Sequence, residues 1–218
     1  MAATIAIVDY GMGNLRSVLK ALEHVSPPGT AVRVSSDPQV VRGADRVVFP
    51  GQGAAADCMR ALRRTGLDEA ILEAVQDKPF LGVCMGMQVL LETSEENQGT
   101  TCLGVFPGRV RYFGTALDRL PEGRHFKIPH MGWNTIRQTG THPLWAGIPQ
   151  DSHFYFVHSY YAEPADAALR LGVTDYGIAF SSALGRDNVF AIQSHPEKSA
   201  AAGLRLLENF ARWDGAVP

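Results

Sequence analysis

Apolar positions in the first half of the chain fall into short runs separated by glycine-rich breaks and helix-spaced patterns. Thr4 to Val8 is a β-branched run, closed by Asp9-Tyr10-Gly11-Met12-Gly13. Leu15, Val18, Leu19 and Leu22 then recur at the spacing of one helix face. Ala31 to Val34 and Arg46 to Phe49 read as further strands, the latter closed by Pro50-Gly51-Gln52-Gly53. Met59, Leu62, Leu67, Ile71, Leu72 and Val75 mark one helical stretch, Pro79 to Val83 a fourth strand, and Gln88 to Leu91 lie on the helix after it. Short apolar strands alternating with helical patterns specify βαβ units, whose parallel strands are covered on both faces.

The pattern changes from Gly108 onward. Arg109 to Phe113, Thr135 to Arg137, Phe154 to Val157, Leu169 to Val173, Ile178 to Leu184 and Val189 to Gln193 read as strands separated by turn residues, and Ser199 to Trp213 as a closing helix. The expected fold class is therefore α/β: a three-layer sandwich with a mostly parallel central sheet, helices on both faces and an added antiparallel portion in the second half. With no repeat and no low-complexity linker, residues 1–218 are expected to form a single domain.

Composition narrows the function classes. A chain of 218 residues buries about 70% of the surface it exposes when unfolded, enough for a core without disulfides or metal. Lys plus Arg is 20 against 22 for Asp plus Glu, so nothing favours a nucleic-acid or anionic-membrane partner. The cysteines Cys58, Cys84 and Cys102 are odd in number and lack C-x-x-C spacing, and no histidine has metal-ligand spacing. No cofactor and no metal are expected. Met1 to Val8 has no basic residue ahead of its apolar run, as a signal peptide would, and no run approaches the ~18 residues of a membrane span. A cytoplasmic location is expected.

Chemistry concentrates at strand ends. Gly82-Val83-Cys84-Met85-Gly86 is G-x-C-x-G after a strand and before a helix, the thiol form of a nucleophile elbow. The sharp turn exposes the nucleophile, the flanking glycines avoid Cβ collisions, and the helix N-terminus favours the attacking thiolate. The Met85 N–H is then placed to meet the oxygen of an attacked carbonyl. Ser194-His195-Pro196-Glu197 also follows a strand. Pro196 holds His195 extended, and side chains two apart in extended chain point the same way, so Glu197 can accept from Nδ1 and leave Nε2 as a base. Pro50-Gly51-Gln52-Gly53, at the end of another strand, reads equally as a plain tight turn or as a second source of oxyanion donors. Gly11-Met12-Gly13-Asn14 lacks the third glycine of a dinucleotide fingerprint, since position 16 is Arg16. His158 ends a strand and could reach a pocket, although such a histidine is more often a satisfied edge residue.

Cys84-Met85-Gly86-Met87-Gln88 together with His195-Pro196-Glu197 resembles the class I (triad) glutamine amidotransferases. Val8 to Val18, Pro129-His130-Met131-Gly132-Trp133-Asn134, Val157 to Tyr161 and Gln193 to Lys198 narrow this to the glutaminase subunits of imidazole glycerol phosphate synthase. The resemblance implies that Cys84 attacks the glutamine side-chain amide, that His195 takes the thiol proton and later protonates ammonia, and that Glu197 orients His195. It implies an oxyanion hole from Met85, Gly51 and Gln52, and glutamine binding by Gly53, Gln88, Glu96, Ser159 and Tyr160. It further implies ammonia delivery to a separate (β/α)₈ cyclase subunit in a heterodimer, with Asn14, Trp133 and Lys198 at the interface. The family's oxyanion turn is expected to be mis-set at rest, and glycines at 51 and 53 would ease its flip by tolerating φ > 0. Gln52 departs from the small apolar residue expected there.

Other readings stay open on these residues. Amidotransferase subunits serving anthranilate or pyridoxal phosphate synthesis share the elbow but are not expected to carry Pro129 to Asn134. A cysteine hydrolase of the protease or dienelactone hydrolase type shares the sheet, and the protease-like family places a histidine where Met85 stands. A catalytically dead binding module would be free to lose Cys84, His195 or Glu197.

Overall fold

In the computed structural model, residues 3–121 and 126–217 are described; His125 lies outside them. The first half supplies β1 (Thr4–Val8), α1 (Leu15–Val25), β2 (Ala31–Ser35), α2 (Pro38–Gly43), β3 (Arg46–Gly51), α3 (Ala55–Thr65), α4 (Leu67–Asp77), β4 (Phe80–Cys84) and the single turn α5 (Met85–Gln88). The second half supplies β5 (Thr93–Ser94), β6 (Thr100–Thr101), β7 (Gly108–Tyr112), α6 (Phe113–Leu117), β8 (His130–Gln138), β9 (Ser152–His158), β10 (Tyr160–Pro164), β11 (Arg170–Tyr176), β12 (Ile178–Arg186), β13 (Val189–Ile192) and α7 (Ala200–Arg212).

Strands β2, β1, β3, β4 and β13 lie side by side and run parallel. Alternate residues of each central strand enter opposite layers. Val47 and Phe49 of β3, Phe80 of β4 and Val189 and Ala191 of β13 pack with Val41, Met59, Leu62 and Ile71 of α2, α3 and α4. Val48, Leu81, Val83, Phe190 and Ile192 pack on the other face with Val18 and Leu22 of α1 and Leu206 and Phe210 of α7. This is the three-layer arrangement expected of a sheet buried on both sides. Beyond β13 the sheet continues antiparallel through β12, β10 and β7, while β11 joins β12 to β8 and β9.

The differences from the sequence pattern have local causes. The stretch from Met59 to Val75 is two helices, because Gly66 takes the left-handed conformation (φ 70°) between α3 and α4. Helix α2, started by Asp37 accepting from the Gln39 N–H and by Pro38, buries only Val41 and so carries no apolar stripe. Strand β8 begins five residues before Thr135, and its early positions alternate between buried His130 and exposed Met131.

Candidate active site

The parallel register brings three strand ends together. Gly51 of β3 pairs with Cys84 of β4, and Val83 pairs with Ile192 of β13, three residues before His195. Cys84 takes φ 55°, ψ −108°, a conformation that costs a non-glycine residue on the order of 1–3 kcal/mol. Gly82 and Gly86 make it possible. A Cβ on Gly86 would run into the carbonyl of Phe49, and one on Gly82 would lie 3.0 Å from Leu90 Cδ1 and 3.1 Å from the Gly86 carbonyl oxygen. Both glycines therefore avoid collisions as expected, and Gly86 is the stricter requirement of the two. Of Gln88 to Leu91, only Gln88 is in α5. So short a helix carries little macrodipole, and the surroundings of the Cys84 sulfur are set mainly by side chains.

His195 is extended (φ −103°, ψ 94°), as Pro196 requires, but Pro196–Lys198 then form one 3₁₀ turn. Glu197 thus returns beneath the ring through that turn, not by strand alternation. The His195 Nδ1–H donates to Glu197 Oε1 at 2.9 Å, with side chains 3% and 2% exposed. The turn is pinned to β9: the His195 N–H donates to the Tyr155 carbonyl, and Ser199 Oγ donates to the His195 carbonyl while accepting from the Tyr155 N–H. Burial pushes the His195 pKa down, but the Cys84 sulfur and the Glu197 carboxylate outweigh it and hold the value up, at about 10. Its Nε2 has no hydrogen-bond partner among the described residues.

One cavity of about 480 Å³ is lined by Gln52, Gly53, Cys84, Met85, Gln88, Glu96, Ser159, Tyr160, His195 and Lys198. Glu197 stands behind His195. Gly51 lies at the end of β3, and its φ is not in the left-handed region; a side chain there would strike the Tyr10 hydroxyl and approach Met85 Cβ to 2.8 Å. Gly51 therefore serves close approach, and only Gly53 (φ 92°) supplies the positive φ expected of both glycines. Glu96 Oε2 accepts from the Ala55 N–H at the start of α3 (2.7 Å), and burial raises its pKa. Trp133 (54% exposed) and Lys198 both meet the Tyr155 ring, at 6.1 Å between centroids and 5.8 Å from Nζ, so they share one surface. Asn14 stands at the start of α1 with no side-chain capping bond to the helix backbone, its Oδ1 accepting from Ser17 Oγ at 2.9 Å, and α1 packs on the Pro196–Lys198 turn.

Sequence reading missed Pro129 and Val157 in the cavity wall, left His158 open between a pocket residue and a satisfied edge residue, and gave Gln193 no role. His158 lines the cavity. Its Nδ1–H donates to the Tyr160 carbonyl at 2.7 Å, so its Nε2 accepts from His130 Nδ1–H at 3.0 Å. Burial lowers the pKa of His158 to about 3 and of His130 to about 4, keeping both rings neutral. Gln193 is fully buried beneath Cys84. Only the strand register reveals the place of Gln193, since its side-chain contacts join segments far apart in sequence.

Residues 6–213 match the family described as glutamine amidotransferase class-I. The chain is 55% identical over 215 residues to imidazole glycerol phosphate synthase subunit HisH 1 of Pseudomonas aeruginosa, with 99% of each chain covered. It is 58% identical over 210 residues to the HisH subunit of Dechloromonas aromatica, with 96% of each covered. The solved structure of PurLQS from Thermotoga maritima shares the fold, with a TM-score of 0.69 at 14% identity over 97% of this chain and 99% of that one. The chain belongs to the class I glutamine amidotransferases, among the HisH subunits of imidazole glycerol phosphate synthase.

Proposed function

We propose that this chain hydrolyses glutamine to glutamate and ammonia through Cys84, His195 and Glu197. The observation that carries the reading is the convergence of a strained, glycine-flanked cysteine and a carboxylate-paired histidine from adjacent strands into one cavity. His195, held high by its neighbours, takes the Cys84 thiol proton. The Cys84 sulfur adds to the amide carbon; the oxyanion meets the Met85 N–H and a donor from the Gly51–Gln52 turn. The C–N bond breaks as His195 delivers its proton, releasing ammonia and leaving a γ-glutamyl thioester. Neutral His195 next takes a proton from water, whose oxygen attacks the thioester; glutamate leaves and the thiolate is restored. Gly53, Gln88, Glu96, Ser159 and Tyr160 hold the substrate's amino-acid end.

Ammonia passes to a (β/α)₈ cyclase subunit docked on the face carrying Asn14, Trp133 and Lys198. There it enters the synthesis of imidazole glycerol phosphate and an aminoimidazole carboxamide ribotide, on the route to histidine. The relatives' names as synthase subunits support this step. Among the described residues no helix is long and apolar enough to cross a membrane; a single domain in the cytoplasm is part of the proposal. The experiment is labelling with a γ-glutamyl electrophile followed by peptide mapping. The adduct is expected on Cys84 alone, and Cys84→Ser is expected to abolish glutamine use while the complex still turns over added ammonia. An adduct on Cys58 or Cys102 overturns the assignment.

A further inference from the structure

We propose that Gln193 belongs to the nucleophile's machinery: its side-chain amide, held in one orientation by Gln88, donates a hydrogen bond to the Cys84 sulfur and so selects the thiolate. The inference rests on the reading of Cys84 as nucleophile and adds a residue to it.

The orientation follows from donors and acceptors alone. The Tyr160 carbonyl can only accept, so Gln88 must present its NH₂ group, at 3.1 Å. The same NH₂ lies 3.0 Å from the Gln193 side chain, which must therefore present its oxygen. The Gln193 NH₂ is left facing Cys84 Sγ at 3.7 Å. An amide nitrogen cannot accept a thiol proton, so the sulfur must be the acceptor, and an anionic acceptor forms the stronger bond. Gln193 and Gln88 are 0% and 3% exposed, so neither side-chain amide can turn toward water instead.

The anchor is itself fixed. The Tyr160 carbonyl also accepts from His158 Nδ1–H, His158 Nε2 accepts from His130 Nδ1–H, and His130 Nε2 accepts from Asn134 Nδ2 at 3.3 Å. Asn134 Nδ2 also donates to the Asp175 carbonyl at 2.8 Å, so a backbone acceptor sets the far end as well. Every hydrogen bond from Asp175 to the sulfur thus has one permitted direction. Unlike His195, Gln193 keeps its protons at every step. It therefore still faces the sulfur after His195 has given its proton to ammonia, when the thiolate must depart from the thioester.

The test is the pH dependence of Cys84 alkylation by iodoacetamide in the full chain, followed on the Cys84 peptide alone. The titratable groups around the sulfur are Tyr10, Glu96, His158, His195 with Glu197 behind it, and Lys198, all retained in the variants. Gln193→Met keeps the volume and removes the donor. Its alkylation midpoint is expected to rise by about one pH unit, with roughly tenfold slower labelling at pH values below both midpoints. Gln193→Glu is expected to raise it further by placing a carboxylate there. An unchanged midpoint in folded Gln193→Met overturns the proposal. If that variant fails to fold, Gln88→Met frees the Gln193 amide to turn and is expected to raise the midpoint by a smaller amount; no rise there overturns it equally. Failure of the nucleophile reading shows separately, as a γ-glutamyl electrophile that spares Cys84 in the wild-type chain.

Discussion

Glu197→Gln isolates the charge of the histidine's partner from its shape. The amide oxygen of the replacement side chain can still accept from His195 Nδ1–H, so tautomer and ring position are preserved, and only the negative charge is lost. The two groups are in contact at 2.9 Å with both side chains nearly inaccessible. Two unit charges about 4 Å apart interact by about 4 kcal/mol at an effective dielectric of 20. The burial cost of the carboxylate, also removed, cancels part of this. A surviving loss of about 2 kcal/mol corresponds to about 1.5 pH units on His195 and roughly 30-fold in rate. His195→Ala removes the proton carrier itself and is expected to cost on the order of 10²–10⁴. The assay is steady-state glutamine hydrolysis by the complex with the proposed cyclase partner, paired with NMR titration of His195. A rate loss as large as that of His195→Ala, or a His195 midpoint that does not fall, refutes the charge argument.

Gly86→Ala should lower stability by about 3 kcal/mol, because its Cβ meets the Phe49 carbonyl in a central strand; a thermal midpoint equal to wild type would refute the clash. His142 is neutral in the fold, its Nδ1 accepting from the Leu144 N–H at 3.1 Å, and burial lowers its pKa to about 4. Its contribution is therefore present above pH ~6.5 and lost as pH falls toward 4, at up to about 1.4 kcal/mol per unit. His142→Asn, which keeps the cap but cannot titrate, should be less stable at pH 7 and lose less stability on acidification, as read by urea unfolding at pH 7 and 5. Trp133→Ala should weaken association with the cyclase subunit by about 2 kcal/mol while leaving the thermal midpoint within a few degrees; titration calorimetry that shows unchanged affinity would remove Trp133 from the interface.

The legible parts of the fold are those where burial on both faces leaves a local mark. Strands β1, β3, β4 and β13 are runs of apolar residues because both layers cover them, and each lies within two residues of its expected bounds at either end. Strand β10 was hidden because Ser159-Tyr160 reads as a binding motif, and β8 because its exposed Met131 and Trp133 interrupt the apolar run. The elbow and the His195–Glu197 pair were legible because each is a local constraint, imposed by glycine or proline within a few residues. Gln193 was not, because its orientation depends on Gln88, 105 residues away, and on a carbonyl of β10. Pattern reading detects backbone rules; it does not detect which way an amide must face.

The division of the sheet explains why the site needs both halves of the fold. The parallel strands end together, so β3, β4 and β13 bring the Gly51–Gly53 turn, Cys84 and His195 within reach of one another without long loops. They provide no far wall. That wall comes from the antiparallel extension, where β9 and β10 place His158, Ser159 and Tyr160 across the cavity. The same strand β9 carries Tyr155, whose ring meets Trp133 on the exposed face and whose carbonyl takes the His195 N–H. A displacement of β9 against the parallel strands must therefore move either the backbone hold on His195 or the far wall around Tyr160, the carbonyl from which the Gln88–Gln193–Cys84 chain takes its direction.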